Sequence, residues 1–208
     1  MGGCRWSSIL RARRSGCSTG RWTPDPTVAP YAAFLRGVNL GPTRKVRSGE
    51  LRAVFEALGF RDVDAFQTSG NVVFEADREA AAKLSARIER ALESSLGFDV
   101  AIFLRTAAEV RAIAEEQPFP RGPVEASKGK LQVMMLAAKP GTRSRKQVLA
   151  HATDEDGLAF GNRELYWLPS GGIRDSRLNL KAIEKLLGAT TMRTMGTVER
   201  MAAKYFAG

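Results

Sequence analysis

The order of apolar stretches along the chain most constrains the fold it can adopt. Between residues 30 and 105, short apolar runs typical of strands alternate with longer segments whose apolar residues recur every three or four positions, as in amphipathic helices. In chain order they predict strand, helix, strand, strand, helix, strand. That order is the βαββαβ unit of ferredoxin-like folds.

Turn and cap residues set the bounds of these segments. We expect the first helix to be capped by Ser48 and stopped by Gly59, and the second to end at Gly97. Ser69-Gly70-Asn71 predicts a hairpin turn between the second and third strands. The four strands are expected at 31–35, 63–68, 72–75 and 100–104.

The same order of elements returns between residues 130 and 208. Strands are expected at 131–137, 158–160, 165–168 and 190–195, and helices at 144–152 and 180–187. At one constant offset, Gly70, Asn71, Glu93, Leu96 and Gly97 match Gly161, Asn162, Glu184, Leu187 and Gly188. We therefore predict an α+β fold of two ferredoxin-like halves, 30–105 and 130–208, produced by internal duplication. Coincidence between common turn and helix-end residues is the alternative.

The segments outside these halves have their own patterns. Residues 106–129 predict a helix opened by Thr106, then an exposed Pro- and Gly-rich loop without regular structure. A closing helix carries Val198, Met201 and Tyr205. Residues 1–29 show no helical or strand period, so we interpret them as a disordered or mis-called N-terminal extension; an Arg-rich targeting segment is the alternative.

Residue usage excludes several kinds of chemistry. Cys4 and Cys17 both lie in the extension and His151 is the single histidine, so the body has no Cys nucleophile, no disulfide and no Cys- or multi-His metal site. We expect neither a metal nor a cofactor. No catalytic constellation is recognisable, which leaves enzymatic activity uncertain. The apolar runs are too short to cross a bilayer, so we expect a cytoplasmic protein without a membrane partner.

The net charge is positive in both parts of the chain. Residues 1–29 carry five arginines against one aspartate, a net charge of +4. Of the total of +10, the remainder therefore carries +6. This excess is compatible with a polyanionic partner, but we favour the simpler interpretation of a solvated, mildly basic surface.

A basic, glycine-containing loop follows the first predicted strand and is the first candidate site. It reads Arg36-Gly37-Val38-Asn39-Leu40-Gly41-Pro42 and is followed by Arg44, Lys45 and Arg47. Glycines let backbone N–H groups approach a ligand, and a helix start with basic side chains favours an anion. The spacing is neither that of a Walker loop nor GxGxxG. The predicted anion-binding residues are Arg36, Gly37, Asn39, Gly41 and Lys45.

Two further polar clusters are candidates. The predicted hairpin contributes Gln67, Thr68, Ser69 and Asn71, whose amides and hydroxyls suit a polar ligand, although turn chemistry alone explains Asn71. Arg174-Asp175-Ser176-Arg177 lies at the start of the helix that ends at Gly188. Asp175 or Ser176 is expected to cap that helix, and the arginines would form a basic rim facing the Arg36 loop.

Several of these motifs together resemble the bacterial family known as "domain of unknown function 1697". In the first half the matching segments are LRGVNLG at 35–41, the basic segment 44–46, LGF at 58–60 and QTSGNVVF at 67–74. In the second half they are residues 176–178, 186–188, 191, 193 and 197–198. The resemblance implies two ferredoxin-like halves and no established activity. This chain has Arg177 in place of a lysine and Arg-Thr-Met-Gly-Thr at 193–197 in place of Arg-Asn-Trp-Asn-Thr. A site shared with the family is therefore expected in the N-terminal loops.

Three functions remain open on these residues. We favour binding of a small anionic ligand, phosphorylated or carboxylated, at the loop after the first strand. A nucleic-acid binding module, for RNA in particular, is the alternative, because ferredoxin-like sheets often bind RNA, yet the chain lacks their aromatic block. A protein-interaction module is the third hypothesis. No pattern in the sequence specifies an oligomeric state.

Overall fold

The structure is a computed structural model that describes residues 27–38 and 45–207. Within them the chain forms strands and helices in the predicted order. The strands are β1 (Val28–Leu35), β2 (Arg61–Ala65), β3 (Asn71–Asp77), β4 (Ile102–Thr106), β5 (Gln132–Leu136), β6 (Asp156–Phe160), β7 (Glu164–Pro169) and β8 (Thr190–Thr194). The helices are α1 (Ser48–Ala57), α2 (Ala81–Leu96), α3 (Ala107–Glu115), α4 (Arg121–Ala126), α5 (Thr142–Leu149), α6 (Leu180–Leu187) and α7 (Met195–Tyr205).

The strands form two antiparallel sheets with the same topology. The first sheet has the order β2-β3-β1-β4 and the second has the order β6-β7-β5-β8. In each sheet the first and third strands of the half are central, and the second and fourth are at the edges. The predicted α+β fold of two similar ferredoxin-like halves is confirmed.

Apolar side chains cover both faces of both sheets. On its outer face the first sheet packs against α1 and α2, where Phe55 and Ile88 are fully buried. The second sheet packs in the same way against the helices that carry Val148 and Ile183. The other faces of the two sheets share one core with α3 and α7, built from Phe34, Val73, Phe103, Val133, Met135, Tyr166, Val110 and Met201. The two halves are therefore joined by a common hydrophobic core.

The strand registers show which residues are equivalent in the two halves. Arg105 in β4 pairs with Ala32, and Arg193 in β8 pairs with Val133, so both arginines occupy the same position of the fourth strand. Thr106 and Thr194 follow them and are the N-caps of α3 and α7.

The hairpins correct the predicted match between the halves. Phe66 N–H donates to Asn71 O in the first hairpin, whereas Gly161 N–H donates to Glu164 O in the second, which is two residues shorter. Asn71 is therefore equivalent to Glu164, and the predicted match of Gly70-Asn71 with Gly161-Asn162 is wrong. The matched helix ends are correct, because α2 and α6 both finish at a glycine with positive φ.

Two local predictions are also wrong. Ser48 is the first residue of α1 rather than its cap; Arg47 holds the cap position, and its N–H donates to Glu50 over 2.7 Å. The segment expected to lack regular structure contains α4. Pro120 precedes that helix and Pro123 lies in its first turn, where a proline costs no helical hydrogen bond. Among the described residues, no helix has the length and apolar character needed to span a membrane.

Candidate functional site

The structure brings the two candidate loops together. Leu35, at the end of β1, donates its N–H to Gly70 O over 2.8 Å. Gly70 has a φ of 70° and lies so close to the first loop that an added Cβ would overlap Val38 Cγ2. We call this surface, formed by residues 36–38 and 67–71, the β1–hairpin junction.

The Arg193 guanidinium reaches this junction from the opposite half of the molecule, and the residue is 7% exposed. All five of its N–H groups donate to protein oxygens. The acceptors are Asn71 Oδ1 at 2.5 Å from Nε, Leu35 O and Gly70 O at 2.9 and 3.1 Å from Nη2, and Thr191 Oγ1 and Met192 O at 2.9 and 2.7 Å from Nη1. Every one of these acceptors is neutral.

Arg105, on β4 of the first half, makes the equivalent contacts to the second half, with one difference. Its Nη2 donates to the carbonyls equivalent to those of Leu35 and Gly70, which are Leu136 O at 3.0 Å and Arg163 O at 2.7 Å. Its Nε, however, donates to Glu164 Oε1 over 2.8 Å, and the two side chains are 0% and 6% exposed. A carboxylate therefore neutralises Arg105, whereas the equivalent partner of Arg193 is an uncharged amide.

A second ion pair extends this difference between the halves. Arg163 Nη2 lies 2.6 Å from Glu109 Oε1. Burial opposes ionisation of Glu109, but hydrogen bonds from Thr106 and the ion pair with Arg163 outweigh it and lower the pKa of the carboxyl. At the β1–hairpin junction the equivalents of Arg163 and Glu109 are Gly70 and Thr197, which carry no charge.

The charge balance of the two clusters is therefore unequal. In the cluster around Arg105, two arginines meet two carboxylates. At the β1–hairpin junction, the buried Arg193 has no carboxylate among its hydrogen-bond partners in the described part of the chain. Burial lowers the pKa of Arg193 to about 10, so the group still carries its charge at neutral pH.

Arg36 is placed at the exposed side of the same junction. Its backbone N–H donates to Ala101 O over 2.8 Å. Its Nη2 lies 2.6 Å from Glu184 Oε1 on α6, and the two side chains are 43% and 35% exposed. Glu184 Oε1 also accepts a long hydrogen bond of 3.4 Å from Thr190 N–H. Arg36 thus forms an accessible ion pair between the two halves.

The other predicted site residues divide into surface and structural groups. Gly37 has a φ of 78°, as a glycine in a tight loop can, and Lys45 is exposed. Asn39 and Gly41 lie outside the described residues. Thr68 and Ser69 are exposed at the hairpin, next to Gln67, which has a φ of 59°.

Asn71 and Gln67 also have structural contacts. Asn71 is fully buried and donates from Nδ2 to Phe66 O and Ser69 Oγ over 3.0 and 2.9 Å. Gln67 Oε1 accepts from Thr197 Oγ1 over 3.4 Å. Asn71 therefore shapes the hairpin and holds Arg193, so it would support a ligand indirectly.

The third predicted cluster lies elsewhere. Asn179, and not Asp175 or Ser176, caps α6, since its Oδ1 accepts from Ala182 N–H over 3.0 Å. Ser176 Oγ instead donates to the buried Asp156 over 2.8 Å. Arg36 meets α6 at Glu184, farther along the helix.

A separate cleft of about 600 Å³ lies beside α4 and the start of α7. Phe119, Val124 and Leu131 supply apolar lining. Charged residues of both signs border it: Glu116, Glu199, Arg121 and Lys130. The charges that border this cleft are therefore balanced. Within the described part of the chain, no group of His, Cys, Asp and Glu could hold a metal ion.

The comparisons with known proteins agree with this fold. The model of the family described as "Protein of unknown function (DUF1697)" matches residues 28–166. Among solved structures, the conserved bacterial protein SP0830 from Streptococcus pneumoniae is similar, with a TM-score of 0.65 and 20% sequence identity. The alignment covers 85% of this chain and 98% of that protein. No curated protein matches the chain.

Proposed function

The chain belongs to the DUF1697 family of proteins of unknown function, and for it we propose binding of a small anionic ligand, phosphorylated or carboxylated, at the β1–hairpin junction. The observation that carries the proposal is that the hydrogen-bond partners of Arg193, among residues 27–38 and 45–207, include no carboxylate. An isolated buried charge is costly, and a counter-ion offsets that cost. Glu164 supplies that counter-ion to Arg105 by direct contact, whereas an external anion at the junction would act on Arg193 through the protein, because all five Arg193 N–H groups donate to protein oxygens.

Residues at the surface of the junction suit this role. Arg36 provides a guanidinium that is accessible to solvent, and its only ion-pair partner among the described residues is the half-exposed Glu184. Gly37 lets the backbone approach a ligand closely. Lys45, which precedes α1 in the chain, is an exposed cation. The hairpin side chains Thr68 and Ser69 offer neutral hydrogen-bond partners.

The sheets are less suited to the RNA alternative. RNA-binding modules of this topology stack bases on aromatic residues of an open sheet face. Here Phe34 and Phe103 lie in the core shared by the two halves, and Phe74 lies beneath α1 and α2. RNA would have to bind through loops and helices instead, and the geometry therefore favours the small ligand.

Thermal unfolding of the full chain with nucleotides, sugar phosphates and short carboxylates tests the proposal. A ligand at a hundredfold excess over its Kd stabilises by about 2.7 kcal/mol. For a chain of this size that raises Tm by roughly 5–10 °C. Arg36→Ala should abolish the increase while changing the Tm of the free protein little, because an exposed ion pair contributes about 0–1 kcal/mol.

The matched control is Arg143→Ala, which removes an exposed arginine from α5 in the other half. It makes the same change in net charge and should keep the ligand response. Equal responses of the two variants would mean that the ligand binds elsewhere. No response to any anion in the parent protein would contradict the proposed function itself.

A further inference from the structure

We infer that the outer helices of the second half form a docking surface for double-stranded nucleic acid, which they contact through its phosphate backbone. The surface consists of four exposed cations, Arg143 and Lys146 on α5 and Lys181 and Lys185 on α6, and we call it the basic α5–α6 face. It shares no residue with the β1–hairpin junction, so the inference does not depend on the proposed function.

The outer helices carry an excess of positive charge in the second half only. α5 has three cations and no carboxylate, and α6 has two lysines and one glutamate, which gives these two helices a net charge of +4. The equivalent helices α1 and α2 have four cations and four carboxylates, a net charge of zero. Charge that served solubility alone would need no such concentration on one of two equivalent layers.

The cations of the two layers also differ in their partners. On α2, Lys83 and Arg87 both pair with Glu79. Within the described part of the chain, by contrast, none of the four cations of the basic α5–α6 face forms an ion pair. The carboxylate of α6, on Glu184, is paired with Arg36. The cations of the face are therefore available to an external polyanion.

The cations form two adjacent rows that face the solvent. Lys146 lies two positions before the buried Val148, and Lys181 and Lys185 lie two positions to either side of the buried Ile183. Two residues along a helix correspond to a turn of about 200°, so these cations point away from the sheet. Neighbouring cations within each helix are three or four residues apart, which places their Cβ atoms at about 5–6 Å. Since α5 and α6 contact each other, the two rows lie side by side.

A nucleic-acid duplex is the polyanion that fits this face. Duplex DNA carries one negative charge for about every 1.7 Å of its axis, so several phosphates can meet the two rows at once. Proteins that bind single strands stack bases on aromatic side chains, and α5 and α6 contain none.

An anionic membrane fits the face less well. Helices that bind a membrane surface insert an apolar face into it. On α5 and α6 that face is buried against the second sheet, and of their large apolar side chains only Leu149 is exposed. We therefore expect contacts with phosphates of a duplex, without preference for its sequence.

Fluorescence anisotropy of the full chain with a labelled DNA duplex tests the inference. Each phosphate contact contributes about −0.9 to the slope of log K against log salt concentration. The double variant Lys146→Ala with Lys181→Ala should therefore reduce the magnitude of the parent slope by about 1.8 and weaken binding of different duplex sequences equally. The change from the parent is the quantity to measure, because residues 1–29 carry five arginines that also attract phosphates.

Lys83→Ala with Arg90→Ala is the matched control, because it removes two exposed cations from α2 in the other outer layer. It makes the same change in net charge and should leave the slope of the parent unchanged. Arg36→Ala should also keep duplex binding, although it removes the small-anion response of the β1–hairpin junction. The two sites can thus be lost separately.

An unchanged slope in Lys146→Ala with Lys181→Ala, or equal changes in this variant and in the control, would overturn the inference. Absence of duplex binding by the parent protein would also overturn it, including the case in which the chain binds vesicles of phosphatidylserine and phosphatidylcholine instead. Neither result would bear on anion binding at the β1–hairpin junction.

Discussion

The two equivalent buried arginines allow a direct comparison of charge compensation. Methionine can replace each of them with a flexible apolar side chain. Arg105→Met leaves the Glu164 carboxylate, 6% exposed, without its cation. Arg193→Met leaves neutral acceptors only, and two of these keep other partners: Leu35 O still accepts from Thr191, and Gly70 O still accepts from Leu35 N–H.

The two substitutions should therefore lower the free energy of unfolding by different amounts. Breaking a buried ion pair by removing one partner destabilises by about 3–5 kcal/mol. Arg193→Met mainly leaves Asn71 Oδ1 unsatisfied, which costs about 1–3 kcal/mol, and it also removes an uncompensated buried charge. For a chain of this size the expected decreases in Tm are about 6–20 °C for Arg105→Met and about 2–12 °C for Arg193→Met, with the first larger in a side-by-side experiment.

Urea denaturation followed by circular dichroism measures the two free energies of unfolding. The double variant Arg105→Met with Glu164→Gln is the informative control, because it removes the orphaned charge. It should recover a substantial part of the loss caused by Arg105→Met alone. Equal costs for Arg105→Met and Arg193→Met, together with no recovery in the double variant, would refute the reasoning that only one of the two arginines is neutralised.

Two further predictions concern the junction and the contact between the halves. Gly70→Ala should destabilise by about 1–3 kcal/mol more than Gly97→Ala in thermal unfolding, because both glycines have positive φ but only Gly70 has a neighbour, Val38, that an added Cβ would overlap; equal losses would contradict this packing. A hydrogen bond from Tyr205 is the main cause that lowers the pKa of Asp64, so its contribution to stability is present above its unfolded pKa of about 3.9 and is lost as pH falls through the folded value. Asp64→Asn should thus be less stable than the parent at pH 6, with a difference that narrows below about pH 4; a difference independent of pH would refute it.

Most of the fold could be predicted from the sequence because its signals are local. Apolar periodicity and the glycines that end α2 and α6 define eight strands and the helices between them. The exceptions depend on contacts that periodicity does not report. The first hairpin, in which the Asn71 amide donates to Phe66 O and Ser69 Oγ, is two residues longer than the second, and this difference shifts the match between the halves.

The site was less predictable, since its key charges come from distant parts of the chain. The loop at Arg36 could be recognised from its glycine and its basic residues. Arg193 lies 122 residues from Asn71, and the absence of a carboxylate beside it has meaning only in comparison with Arg105 and Glu164. One sequence signal was available: an Arg-Thr pair ends the fourth strand of each half, at 105–106 and 193–194. An arginine repeated at the end of a buried strand indicates a paired structural role.

Residue-resolved NMR titration of the full chain with phenyl phosphate tests the central claim most directly. An anion at the β1–hairpin junction predicts saturable shifts of the backbone amides of Arg36, Gly37 and Gly70. The equivalent positions Ala137 and Arg163, beside the neutralised Arg105, should shift little. Shifts of similar size at both sets of positions, or no saturable shift at the junction, would contradict the account.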